Sequence, residues 1–333
     1  MSMADRDGVI WFNGQLVPWR DATVHVLTHT LHYGVGVFEG VRAYATPDGV
    51  AIFRLAEHTD RLINSAKLLH MKIPFDRQTL MNAQMTVIKE NKLFQGGYLR
   101  PIVFYGPERM GLQITEANKV NVAIAAWEWG AYLGADGLTN GIRVKVSSYN
   151  RHHVNVISCK AKATGNYINS ILEHQEASLA GCDEALLLDT QGYVAEGSGE
   201  NLFLVKNGVV YTPSTGSCLN GITRETIITL LREHCYEVRE TALVRDDVML
   251  ADEAVAIGPA PAAQSYLVIE RIIAAARQTG DRAVRALGPS GACRGWSVMS
   301  AGESMDRFSG RGGAAVNRRP ARRDCGGARG RWW

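Results

Sequence analysis

Between residue 10 and about residue 53, apolar residues recur with the two-residue period and the turn punctuation of short strands. Ile10-Trp11-Phe12 with Gly14 opens a hairpin, and the runs Val37 to Tyr44 and Val50 to Phe53 flank the turn signal Thr46-Pro47-Asp48-Gly49. From Leu55 the period lengthens. Leu55, Leu62, Ala66 and Leu69 share one face while charges occupy the others, which predicts an amphipathic helix. A second helix is expected over about Arg77 to Glu90, followed by strands from Tyr98 to Tyr105 and from Val120 to Trp127. This order predicts an α+β unit over residues 1–130, built on a mainly antiparallel sheet.

The glycine-rich segment Trp129-Gly130-Ala131-Tyr132-Leu133-Gly134 reads as a connection, with residues 131–137 as the interdomain loop. Beyond it the pattern predicts a strand (Ile142 to Ser148), a helix (about Ala161 to Ala180) and three strands (Ala185 to Leu188, Leu202 to Val205, Val209 to Tyr211). Gly221-Ile222-Thr223 then introduces a helix running to His234, with Thr223 as its N-cap. The chain is therefore expected to hold two α/β domains, the second over residues 138–255. After Val255 the apolar period is lost, and residues 256–333 form a divergent C-terminal region.

Composition narrows the class. With 46% apolar and 21% charged residues the chain is globular and not disordered, and Lys+Arg of 36 against Asp+Glu of 33 leaves a net charge of +3, too small for a general nucleic-acid binder. Between Arg307 and Arg331 stand eight arginines and one acid, Asp324, a local exception that reads as an aberrant tail rather than a binding arm. Six scattered cysteines form no CxxC pair and no zinc spacing, so reduced thiols and no metal are expected. The N-terminus lacks an apolar signal core and no run reaches the length of a membrane span, which predicts a cytoplasmic protein without membrane contact.

Three stretches concentrate chemistry: His32-Tyr33-Gly34 through Phe38-Glu39-Gly40-Val41-Arg42, then Lys160-Ala161-Lys162-Ala163-Thr164-Gly165-Asn166-Tyr167, and Glu196-Gly197-Ser198-Gly199-Glu200-Asn201. Alone, each has an ordinary reading: a solvated helix start for the lysines, a tight turn for the glycines. The last is no dinucleotide fingerprint, because a strand and not a helix follows it.

Taken in this order, and with Trp11-Phe12-Asn13-Gly14, Tyr98-Leu99-Arg100-Pro101, Trp129-Gly130-Ala131-Tyr132 and Leu219-Asn220-Gly221-Ile222-Thr223-Arg224, the chain from about Ile10 to Glu253 resembles the branched-chain-amino-acid aminotransferases. These are fold-type-IV enzymes that depend on pyridoxal 5′-phosphate. The resemblance implies that Lys162, before Gly-Asn-Tyr, forms the Schiff base and shuttles the proton at Cα, with Lys160 as a bystander. It implies Glu196 at the pyridine nitrogen, Tyr167 at the 3′-oxygen, Leu219 against the ring, and Arg61 with the amides of Ile222 and Thr223 at the phosphate. Phe38, Tyr98, Trp129 and Tyr132 would line the substrate pocket, Arg100 would support Tyr98 and receive a glutamate side chain, and Tyr33 would reach a neighbouring subunit's site. A homodimer is implied as the minimal active unit. The activity implied is ping-pong transfer of the amino group of L-leucine, L-isoleucine or L-valine to 2-oxoglutarate. D-amino-acid and (R)-amine transaminases share the lysine and the glutamate and stand as alternatives.

The resemblance ends where the pattern does. The family continues with a strand and a Gly-Thr-Ala-Ala-Glu turn, whereas this chain has Gly258-Pro259-Ala260-Pro261, whose prolines remove two amide donors. A lysine-free, arginine- and glycine-rich tail from that point is the expected product of a reading-frame shift near codon 255, and a catalytically impaired remnant is the alternative it raises.

Overall fold

The computed structural model describes residues 2–129 and 141–257, and within them three sheets carry the chain. The first is antiparallel throughout. Strands β1 (Val9–Phe12) and β2 (Gln15–Pro18) form the expected hairpin. Asn13 at φ 48° and Gly14 at φ 94° supply the two left-handed residues that a tight two-residue turn demands. Helix α1 (His29–Tyr33) then leads into β3 (Gly36–Phe38), β4 (Val41–Thr46) and β5 (Gly49–Ile52). After helices α2 (Leu55–Leu68) and α3 (Arg77–Glu90) come β6 (Gly96–Tyr105) and β7 (Val120–Trp127). The strand order is β2-β1-β7-β6-β4-β5, with β3 paired to the far half of β6.

Both long helices lie on this sheet, as their periodicity requires. Leu62, Ala66, Leu80, Val87 and Ile88 bury themselves against Val41, Leu99, Val103, Val122 and Ile124 in one continuous apolar core. Asp76 caps α3, its side chain accepting the Thr79 N–H at 2.7 Å.

The remaining two sheets are smaller and mixed. Strand β8 (Val144–Asn150) pairs in parallel with β9 (Glu184–Leu188), which pairs antiparallel with β10 (Val194–Gly197). Between β8 and β9 runs helix α4 (Tyr167–Leu179), packed on both. The third sheet has the order β13-β12-β11-β14, from β11 (Asn201–Lys206), β12 (Val209–Pro213), β13 (Val238–Thr241) and β14 (Glu253–Ile257). Helix α5 (Ile222–Glu233) makes the crossover between the parallel strands β12 and β13, and the short helix α6 (Arg245–Met249) precedes β14.

Several expectations need correction. The helix expected from about Ala161 begins only at Tyr167, after a single 3-10 turn at Thr164–Asn166. Ala163 is extended and bridges Val37, and the Phe38 N–H donates to the Lys162 carbonyl at 3.1 Å, so this segment joins a strand of the first sheet instead of coiling. The run Val37 to Tyr44 is two strands, broken at Glu39-Gly40. There a Cβ on Gly40 would collide with the Tyr98 hydroxyl, and the Glu39 side chain turns inward to Arg61. The N-cap of α5 is Gly221, not Thr223. Strand β14 follows β11 to Ile257, past the Val255 limit set by the apolar period. The expected connection at 131–137, with Tyr132, lies outside the described residues.

Candidate active site

The site forms where the first sheet meets the other two. The segment before α4 is sewn to both sides. Besides the strand-like bond from Phe38, the Lys162 N–H donates to Ser65 Oγ of α2 at 2.9 Å, and Thr164 Oγ1 donates to the Gly34 carbonyl at 2.6 Å. This fixes the backbone of Lys162 while leaving its side chain half-buried. Lys162 Nζ reaches the Tyr167 hydroxyl at 2.5 Å and lies 5.1 Å from the centroids of both the Phe38 and Tyr167 rings. Phe38 and Tyr167 are themselves in contact at 4.8 Å.

The aromatic wall continues outward from Phe38. The Arg100 guanidinium stacks 4.7 Å over Phe38 and donates to the Tyr98 hydroxyl at 2.8 Å. Tyr98 meets Trp129 edge-on at 4.5 Å, and Arg42 Nη1 donates to the Trp129 carbonyl at 2.6 Å. Phe38, Tyr98, Arg100 and Trp129 thus fall into one continuous surface beside Lys162. Tyr33 does not join them. It sits on α1, 40% exposed, with its ring 4.5 Å from that of His29.

Behind Lys162 lies Glu196, buried at the end of β10. Its Oε1 is 3.0 Å from Arg151 Nε, an equally buried cation, in a pairing close enough for charge but not aligned as a hydrogen bond. Its Oε2 accepts a long bond, 3.3 Å, from the Leu219 N–H. Burial pushes the Glu196 carboxyl above its ordinary value, opposed chiefly by Arg151. The site therefore holds a buried acid with room for another cationic N–H donor.

On the opposite flank, α5 begins at Gly221 with no side-chain cap, so the amides of Ile222 and Thr223 in its first turn are unpaired by any capping oxygen. A Cβ on Gly221 would collide with Asn201 Oδ1, which is why only glycine fits there. Arg61 on α2 stands beside this turn and donates to the Asn220 carbonyl at 2.9 Å. It also grips Glu39 through Nε at 2.6 Å and Nη2 at 2.9 Å. Burial alone would raise Glu39, but Arg61 and then His58 hold its carboxyl well below the usual range. Burial lowers His58 in turn, so it serves Glu39 as a neutral donor at 2.8 Å rather than as a second cation. Arg54, also from the first unit, ties the same helix by bonds to the Ile222 carbonyl and Thr226 Oγ1.

Sequence reasoning missed Glu39, Arg54, His58 and Arg151 as parts of this arrangement. Glu39 at least lay inside a stretch already conspicuous, whereas Arg151 stands in a loop with no local signal. The described residues contain no grouping of His, Cys, Asp and Glu suited to a metal, and no helix among them is long and apolar enough to cross a membrane.

Lys162 bonded to Tyr167, the buried Glu196 and the uncapped start of α5 beside Arg61 are thus gathered in one region, and the family model described as amino-transferase class IV matches residues 36–262. The chain belongs to that family. Within it, this sequence is 58% identical over 260 residues to the branched-chain-amino-acid aminotransferase of Pseudomonas aeruginosa, covering 78% of this chain and 84% of the relative. Among solved structures it is similar to the branched-chain amino acid aminotransferase of Escherichia coli, at a TM-score of 0.74 and 46% identity over 76% of this chain and 84% of that one. The branched-chain amino acid aminotransferase of Thermobaculum terrenum, in its PLP-bound holo form, matches at a TM-score of 0.71 and 28% identity over 84% and 97%.

Proposed function

We propose that this chain is a pyridoxal-5′-phosphate-dependent transaminase of branched-chain L-amino acids, working by a ping-pong route with 2-oxoglutarate as the acceptor. The observation that carries the reading is Lys162, with its Nζ bonded to the Tyr167 hydroxyl and 5.1 Å from the centroids of both the Phe38 and Tyr167 rings.

The residues fit the cofactor on physical grounds. Three of the five Arg61 N–H groups are spent on Glu39 and Asn220, which leaves two for a phosphate beside the free amides of Ile222 and Thr223. Glu196, buried and short of aligned donors, suits a protonated ring nitrogen, and half-buried Leu219 suits the ring face. Pyridoxal phosphate supplies, when bound, the ring that takes up the electron pair released as the Cα–H bond breaks.

The chain's own residues do the rest. Lys162 carries the proton to and from Cα, and Tyr167, at 2.5 Å from Nζ, steadies the amine and offers a hydrogen bond to the 3′-oxygen. Glu196 keeps a proton at the ring nitrogen because a neutral ring there would leave its charge with no second partner in a buried site. Phe38, Tyr98 and Trp129 exclude water and accept an aliphatic side chain, while Arg100 offers a cation to the side-chain carboxylate when glutamate binds in its place.

The same reading makes the protein a cytoplasmic homodimer. Leu31 and Tyr33 on α1, Val156, and Ile168 and Ile171 on α4 are exposed apolar residues that suit cover by a second copy, and the family resemblance puts Tyr33 at such an interface. Residues 1–130 and 138–255 then act as small and large domains.

The test is the visible spectrum of the full chain with pyridoxal phosphate, before and after L-leucine is added without keto acid. A cofactor band that L-leucine discharges, and that D-alanine and a chiral amine leave in place, is the expected result. Discharge by D-alanine alone would move the chain to the D-amino-acid branch. A spectrum of free cofactor would mean that the sequence after Val255 does not make a working enzyme.

A further inference from the structure

Two lysines stand side by side in Lys160-Ala161-Lys162, and the mechanism uses only the second. The first is exposed, yet its ammonium is fully engaged. Lys160 Nζ donates to the Thr215 carbonyl, to the Cys218 carbonyl at 3.2 Å and to Asn220 Oδ1 at 2.8 Å, which uses the full donor capacity of an ammonium on a single loop. That loop, between β12 and α5, is the one that carries the Leu219 N–H to Glu196 and the Asn220 carbonyl to Arg61. Lys160 is also near enough to Glu196 for its charge to favour the ionised carboxylate.

We infer that Lys160 is a positioning residue: its ammonium locks the 215–220 loop so that the acid end and the phosphate end of the cofactor site are held at a fixed separation. The inference deepens the proposed function and rests on it. The physical case is geometric. A loop of Thr215, Gly216, Ser217, Cys218, Leu219 and Asn220 has no regular backbone pairing of its own, and one side chain rooted two residues before Lys162 spans it from end to end. Ala161 is buried between the two lysines, so the root of the clamp and the root of the reactive amine share one rigid backbone. Cofactor held against Lys162 is thereby held at a set distance from the helix start that binds its phosphate.

The test compares the full-length wild type with Lys160→Met and Lys160→Arg, reading pyridoxal phosphate affinity by absorbance titration and the pH midpoint of the bound-cofactor band. Lys160→Met is expected to bind about tenfold more weakly, the size of losing charge-assisted hydrogen bonds partly open to water. Its midpoint is expected at higher pH, since a cation has been removed from beside the site. Lys160→Arg is expected to restore the midpoint and part of the affinity. Equal affinity and an unmoved midpoint in Lys160→Met would overturn the inference while leaving the proposed function standing. Weaker binding with an unmoved midpoint and no recovery in Lys160→Arg would mark a general loss of structure and overturn it as well. A wild type that takes up no cofactor would remove the proposed function and this inference together.

Discussion

The first sheet and its two helices enclose an interior of Leu, Val, Ile and Ala, with Glu39 as its one buried carboxylate among the described residues. Across the site, the unit built on the two smaller sheets buries Glu173, Glu184, Glu196 and Glu200 with Arg151 and Arg224, and one of its apolar clusters gathers only Leu186, Val194, Leu202, Leu204 and Leu243. Both sides settle charge in a low-dielectric interior, but unequally: the first holds one carboxylate, Glu39, against Arg61 and His58, whereas the second holds four. The division is one of degree, with the second side depending more on groups whose protonation is set by their surroundings.

If that division holds, the two sides break differently. The largest effect is expected from Lys162→Ala, which removes the amine proposed to react but not the backbone bonds that hold its segment. Turnover with L-leucine should fall by about 10⁴-fold or more, with the melting temperature little changed. A collapse in melting temperature instead would show that the side chain also holds the fold. Next in size is Leu99→Ala in the first core, where the side chain is fully buried between sheet and helices. It should cost about 2–5 kcal/mol in denaturant unfolding while cofactor affinity in the surviving folded fraction stays near wild type.

The smallest effect sharpens the comparison through pH. Burial, with some repulsion from Glu184, pushes Glu200 up to about 8, and burial pushes Glu173 up to about 8 as well. A carboxyl raised in the folded state keeps its proton where the unfolded chain has already lost it. Each group's contribution is therefore fully present below the unfolded value and is lost as pH rises toward about 8. Stability of the wild type is expected to decline from about pH 5 to about pH 8 on this account, and Glu200→Gln to flatten part of that decline. Melting curves across that range decide it, and an identical slope in the variant would mean that Glu200 titrates normally.

Much of this architecture could be read from the chain. The Arg77–Glu90 helix and the Val120–Trp127 strand follow their periodicity to the residue, because each lays one regular apolar stripe on a single core. The misread segment is Lys160 to Thr164. Lysine and alanine favour a helix locally, and only the distant partners Val37, Phe38 and Ser65 pull the backbone straight. Short elements such as β10 and β13 carry too few residues for a period to show. Of the site, the residues with motif neighbours were legible, but the ion pairs of Arg61 with Glu39 and of Arg151 with Glu196 join residues far apart in the chain and leave no trace in spacing.

The bond from the Phe38 amide to the Lys162 carbonyl has a consequence for anyone who would recombine this protein with a relative. A crossover placed between β7 and β8 would inherit Phe38 from one parent and the lysine segment from the other, although Val37, Phe38, Lys162 and Ala163 form one stitched piece. The natural seam for exchange does not coincide with the boundary along the chain. A library that swaps the strand of Phe38 and the segment of Lys162 as a pair should yield more active hybrids than one that cuts the chain once in its middle.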